Sequence, residues 1–173
     1  MFIAQQLKQT NIIEYVLYLW QVEDIVRAYD CSLPRLRREY ISRFEYDAEQ
    51  LDELTDWYAM LIKQMNDEGC REHGHLQAVT CITDHLEQLH LQLANDASQP
   101  FYKAQYYKVL PFIVELRNKG SKNQSEVITC LNALYGTMML RLQHKDISPD
   151  TKHAVEEIAT LMGMLSDEYA KKQ

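Results

Sequence analysis

The sequence predicts an all-α protein, a bundle of about six antiparallel helices with the long N-terminal helix at its centre. Three observations carry that expectation. Apolar residues recur at alternating spacings of three and four in six long or medium segments. Cap patterns stand where several of those segments begin. Only five glycines and four prolines occur in 173 residues, few for strands that need a turn between each pair. No segment reads as a strand, and neither an internal repeat nor a linker is visible. Residues 1–173 are therefore expected to form a single domain, long enough to bury roughly 70% of the unfolded surface.

The elements follow in order. Residues 2–9 read as a short turn. "NIIEYVLYLWQVEDIVRAYD" opens on Asn11 with Glu14 three residues later, a capping-box pattern. Ile12, Tyr15, Leu19, Val22, Val26 and Tyr29 make one stripe, and Ile13, Val16, Leu17, Trp20 and Ile25 extend it around most of the circumference. A helix apolar nearly all round belongs at the centre. "SLPRLRREYISRF" reads as a short basic helix with Ser32 as cap and Pro34 in its first turn. Asp47 and Gln50 form another capping box before Leu51, Leu54, Tyr58, Leu61 and Met65. Gly69 and Gly74 bracket a break, and the next helix runs to about Asn95. "SQP" opens a helix with Pro111 inside it and Gly120 as C-terminal cap. Asn123 and Glu126 start the next, and "SPD" at 148–150 starts the last.

Charge narrows the function. The net charge is −7, and an acidic chain without a basic stripe is poorly suited to phosphate backbones, so no nucleic-acid partner is expected. The balance is uneven: residues 47–96 hold eleven acids and two bases, residues 97–145 seven bases and two acids. Oppositely charged segments attract within one fold or between subunits. The acidic stripe Glu49, Asp52, Glu53 and Asp56 is expected to pair with the basic helix before it. The scattered cysteines Cys31, Cys70, Cys81 and Cys130 form no C-x-x-C and are expected as free thiols of a cytoplasmic protein. "MFIAQQLKQT" does not read as a signal peptide, and no apolar run reaches membrane-spanning length.

Candidate site residues lie on two helices above all. "EHGHLQAVTCITDHLEQLH" at 72–90 holds four of the six histidines. Glu72/His75 and Glu87/His90 are both Glu-x-x-His pairs, but fifteen residues of helix separate them by about 22 Å, too far for one cluster. His-Glu-x-x-His and Pro-Cys-x-x-Cys are absent. His90 falls on the apolar face and is expected as a hydrogen-bonded core residue; the other three are expected at the surface or in caps. Glu23 and Arg27 stand four apart on the central helix, so a buried ion pair is expected, fixing helix register or marking a ligand site. Tyr135 beside Gly136 is a further pocket candidate. With no phosphate loop, nucleophile elbow or metal motif, no catalytic residue, metal or cofactor is predicted.

"NIIEYVLYLWQVEDIVRA", "HLQAVTCITDHLEQLH" and "LNALYGTMMLRLQHKDISPDT" together resemble an uncharacterised family, a domain of unknown function in Bacteroides-type bacteria. The resemblance implies a small intracellular bacterial protein and carries no activity with it. Two functions remain in view. The first is a non-enzymatic helical protein that self-associates or binds a protein partner. The second is a small-molecule or metal-binding bundle, an enzyme included, built on Glu23, Arg27 and His90.

Overall fold

The computed structural model describes residues 2–120 and 123–172. Eight α-helices and one 3-10 turn make up its regular structure: α1 Phe2–Thr10, α2 Ile12–Ala28, α3 Leu33–Glu39, the turn Ile41–Arg43, α4 Ala48–Asp67, α5 Gln77–Asn95, α6 Pro100–Lys119, α7 Glu126–Leu142 and α8 Pro149–Ala170. No strand occurs among the described residues, so the fold is all-α. Residues 2–9, expected as a turn, belong to a helix.

Local chemistry sets most helix starts. Asn11 accepts from the N–H groups of Ile13 and Glu14, both at 3.1 Å. Asp47 and Gln50 close the capping box in both directions, at 2.8 and 3.2 Å. Ser148 accepts from Thr151 N–H at 3.2 Å. At α7 the cap is Ser125, which accepts from Ile128 N–H at 3.2 Å, and not Asn123. Gly69 and Gly74 take φ values of +72° and +85°, a left-handed backbone that a side chain disfavours, and so turn the chain between α4 and α5. Gly120 closes α6 without that conformation.

Helices α5 to α8 pack on one another, and α2 lies against α5, α7 and α8. Helix α2 is central, as its all-round apolar surface demands: Ile12, Ile13, Val16, Leu17, Leu19, Trp20, Val22 and Val26 are buried. Helix α3 and the 3-10 turn pack on α4. Tyr40 bridges this side of the molecule, edge-on to Phe44 and Tyr58 and tilted against Tyr29. The expected pairing of the basic helix with the acidic stripe reduces to one exposed contact, Arg37–Asp52 at 3.4 Å. Arg35 and Arg38 bond Glu39 on their own helix instead. All four cysteines are free thiols, with Cys70 and Cys130 buried.

Candidate functional site

Helix α2 carries Trp20, Glu23, Asp24 and Arg27 toward the break that follows α4. Glu23 is 1% exposed. A buried carboxylate is costly unless its oxygens are satisfied, and here they are. Oε1 accepts from Leu76 N–H at 3.0 Å, and Oε2 accepts from His75 Nδ1–H at 2.6 Å. The Arg27 guanidinium approaches Oε2 at 3.8 Å. Leu76 is the N-cap of α5 and offers no side-chain acceptor to that helix. Glu23 therefore caps α5 from fifty-three residues away, and Glu68 does the same for Gln77 N–H at 2.6 Å. Both acids sit at the positive end of the helix dipole, where charge and hydrogen bond favour them together.

Arg27 completes the tie from the other side. It donates to the carbonyls of Cys70 (3.1 and 3.3 Å) and Gly74, and to Asp24 Oδ1 at 2.9 Å. Asp24 Oδ2 in turn accepts from the Tyr135 hydroxyl at 2.6 Å, bringing α7 into the cluster. Burial pushes the Tyr135 phenol up, and its bond to Asp24 adds to the shift. Trp20 stacks on the His75 ring, with centroids 4.4 Å apart and planes 13° from parallel, and meets Tyr135 edge-on at 5.7 Å. Burial, followed by nearby Glu23, raises the Cys70 thiol and so disfavours a thiolate.

His90 belongs elsewhere. It is buried in α5 between α6 and α7, where its Nε2–H donates to Glu126 Oε2 at 3.1 Å. A carboxylate only accepts, so Nε2 is the donor to Glu126, and Nδ1 bonds the Tyr102 hydroxyl at 2.7 Å. Arg117 reaches Glu126 Oε1 at 3.6 Å. The bond from His90 holds the Glu126 carboxyl below its ordinary range. Burial and nearby Glu126 push the Tyr106 phenol up to about 12. Glu87 accepts from Val127 N–H at 2.9 Å, another carboxylate at a helix N-terminus.

Of the four residues singled out from sequence, Glu23, Arg27 and Tyr135 thus meet in one cluster, and His90 stands in another. His75, expected as a surface or cap residue, is exposed just before the N-cap of α5, and what sequence reasoning missed is its bond to Glu23 and its stacking on Trp20. No local signal marks it, because its partners lie on a helix fifty residues earlier. Among the described residues no group of three or more His, Cys, Asp or Glu side chains stands close enough to hold a metal ion.

Over residues 1–173 the chain matches the model of a family described as a domain of unknown function, DUF4924. The chain belongs to that family. No curated protein and no solved structure matches it.

In this DUF4924 chain the geometry of both polar clusters is that of ties between helices, with Glu23 and His90 hydrogen-bonded and only the Trp20 Nε1–H and Arg117 Nε–H buried without a partner among the described residues. Open space lies elsewhere. Two clefts flank the contact of α7 with α8. One, of about 360 Å³, is lined by Leu17, Met138, Arg141 and Met162 among others; the other, of about 330 Å³, by Phe112, Gly136, Leu140 and Val155. Among the described residues no helix is long and apolar enough to cross a membrane.

Proposed function

We propose that this chain is a non-enzymatic helical protein of the bacterial cytoplasm that works by self-association. The observation that carries this reading is α6. Its outward surface holds Phe101, Tyr107 and Val114, exposed to 83%, 62% and 50%. Single exposed apolar residues are ordinary, whereas Tyr107 and Val114, about 20° apart on the helix, form with exposed Ala104 and Pro111 an apolar strip of the kind that protein partners cover, and Phe101 extends the apolar surface about 120° further round. Pro111 adds to it: without an N–H it leaves the Tyr107 carbonyl short of its usual helical donor.

The test is a dilution series of purified protein by analytical ultracentrifugation and native mass spectrometry. The expected result is a concentration-dependent oligomer that Phe101→Ser with Tyr107→Ser shifts toward monomer. A wild-type chain that stays monomeric at every concentration overturns the reading. A small-molecule ligand is the second reading. It is favoured by the two clefts beside α7, whose volumes lie at the low end for ligand sites, and by the polar cluster of Glu23, Arg27 and Tyr135. A ligand retained through purification and seen in the native mass spectrum would support it.

A further inference from the structure

Two helices of equal length carry opposite charge patterns on their exposed faces. Both α4 and α6 have 20 residues, about 30 Å of helix. On α4, Asp56, Met60, Lys63 and Asp67 are exposed at successive spacings of four, three and four, so they fall on one stripe. On α6, Lys108, Phe112, Glu115 and Lys119 repeat the same spacing; Phe112 is half-buried and the other three are exposed. Position by position the signs invert: acid faces base, methionine faces phenylalanine, base faces acid, acid faces base. Each stripe also holds an internal pair in the same place. Lys63–Asp67 and Glu115–Lys119 both close at 2.5 Å with the four side chains 60–77% exposed. One turn nearer the N-terminus, acidic Asp52 corresponds to Ala104, and Glu49 to the fully outward Phe101.

We infer that α4 of one chain docks in parallel along α6 of a second copy, with Asp56 against Lys108, Lys63 against Glu115 and Asp67 against Lys119. The inference rests on the self-association reading and names a contact for it, one that covers Phe101 while Tyr107 and Val114 lie about 140–160° round the helix from Phe112. The occupant is a second copy because the complementary face is a face of this same chain. Parallel alignment matches more positions: it sets three opposite charges and one apolar pair in register, whereas the reversed helix keeps Asp56–Lys119 and Asp67–Lys108 but sets Met60 against Glu115 and Lys63 against Phe112. Exposed ion pairs contribute little affinity each, but they select partner and register. Met60 packed on Phe112, with Phe101 covered by the start of α4, supplies the apolar part. A contact of this kind is weak and salt-sensitive, because the charges stay near solvent.

The experiment reverses each stripe separately in the full chain. One variant carries D56K, K63E and D67K; the other carries K108E, E115K and K119E. All six positions are exposed, and circular dichroism checks that each variant retains its helix content. Each alone is expected to lose self-association, with a dissociation constant raised about tenfold or more. Mixed in equal amounts the two are expected to associate again, because reversed α4 now matches reversed α6 and the two unaltered helices still match. Native mass spectrometry of one isotope-labelled variant identifies the mixed species. If wild type associates and neither reversal weakens it, the α4–α6 contact is wrong while the self-association reading stands. Loss in each variant without recovery in the mixture also overturns the contact. A wild-type chain monomeric throughout overturns both.

Discussion

Glu23 on α2 and His75, just before α5, are joined by a 2.6 Å hydrogen bond across fifty-two residues of sequence. The same carboxylate caps α5 through Leu76 N–H and faces Arg27. One buried side chain therefore ties the central helix to the start of another and fixes the loop between α4 and α5. Removing it leaves Leu76 N–H and His75 Nδ1 without their acceptor, while Glu68 still caps Gln77 N–H and Asp24 still pairs with Arg27. Glu23→Ala is expected to cost about 2–4 kcal/mol, from the unsatisfied partners and the lost charge pair. At about 2–4 °C per kcal/mol for a chain of this size, thermal unfolding followed by circular dichroism should show a clear drop. A shift below about 1 °C would mean that water replaces the carboxylate without loss.

The His90 cluster makes a different prediction, because both ring nitrogens are used. His90→Leu strands the Tyr102 hydroxyl and one oxygen of Glu126 and is expected to cost about 2–3 kcal/mol. His90→Gln keeps some hydrogen-bonding capacity and should cost less. Adding Tyr102→Phe to His90→Leu removes one stranded group, so the double variant should be more stable than the two single losses added together. Strict additivity in a denaturant titration would show that the Tyr102 bond carries no coupling.

Acid should release Glu126 from its partners. The bond from His90, then that from Tyr106, lowers its carboxyl below the ordinary 4.5 despite partial burial. A lowered folded value means that the unfolded chain takes up the proton first, so stability is fully present above about 4.5 and is lost as pH falls through the folded value. Melting temperature plotted against pH should therefore fall on the acid side. Glu126→Gln should be less stable at neutral pH and show a shallower acid slope. An unchanged slope would remove Glu126 from the account of acid sensitivity.

The cysteines should separate by burial. Cys81 is exposed on α5, whereas Cys70 and Cys130 are buried, and burial pushes the Cys130 thiol up to about 12. Only a thiolate reacts readily. A thiol reagent applied to the native chain should therefore modify Cys81 first and leave Cys130 for the unfolded state. Under denaturing, non-reducing conditions all four should titrate. Recovery of two would reveal a disulfide that the free-thiol structure excludes.

The sequence by itself determined the helices, because helix formation is decided by neighbours. The capping box of Asp47 and Gln50, the cap at Asn11, the prolines at the starts of α6 and α8 and the two left-handed glycines all act within a few residues. The stripes of three-and-four spacing name most of the buried positions, and His90 was legible as a core residue because it falls on such a stripe. What covers a stripe, and which polar groups meet, only the tertiary structure decided. Glu23 looked like half of an ion pair with Arg27, yet its closest partner is His75. The N-cap of α5 has no acceptor of its own, and two glutamates from other helices supply it. Tyr135 joins Asp24 across more than a hundred residues. Helical period repeats every turn and is blind to such distances, since it fixes where a side chain points around its own axis and not which helix lies opposite. The same limit hides α6, whose period shows several apolar residues while packing alone leaves Phe101, Tyr107 and Val114 in water.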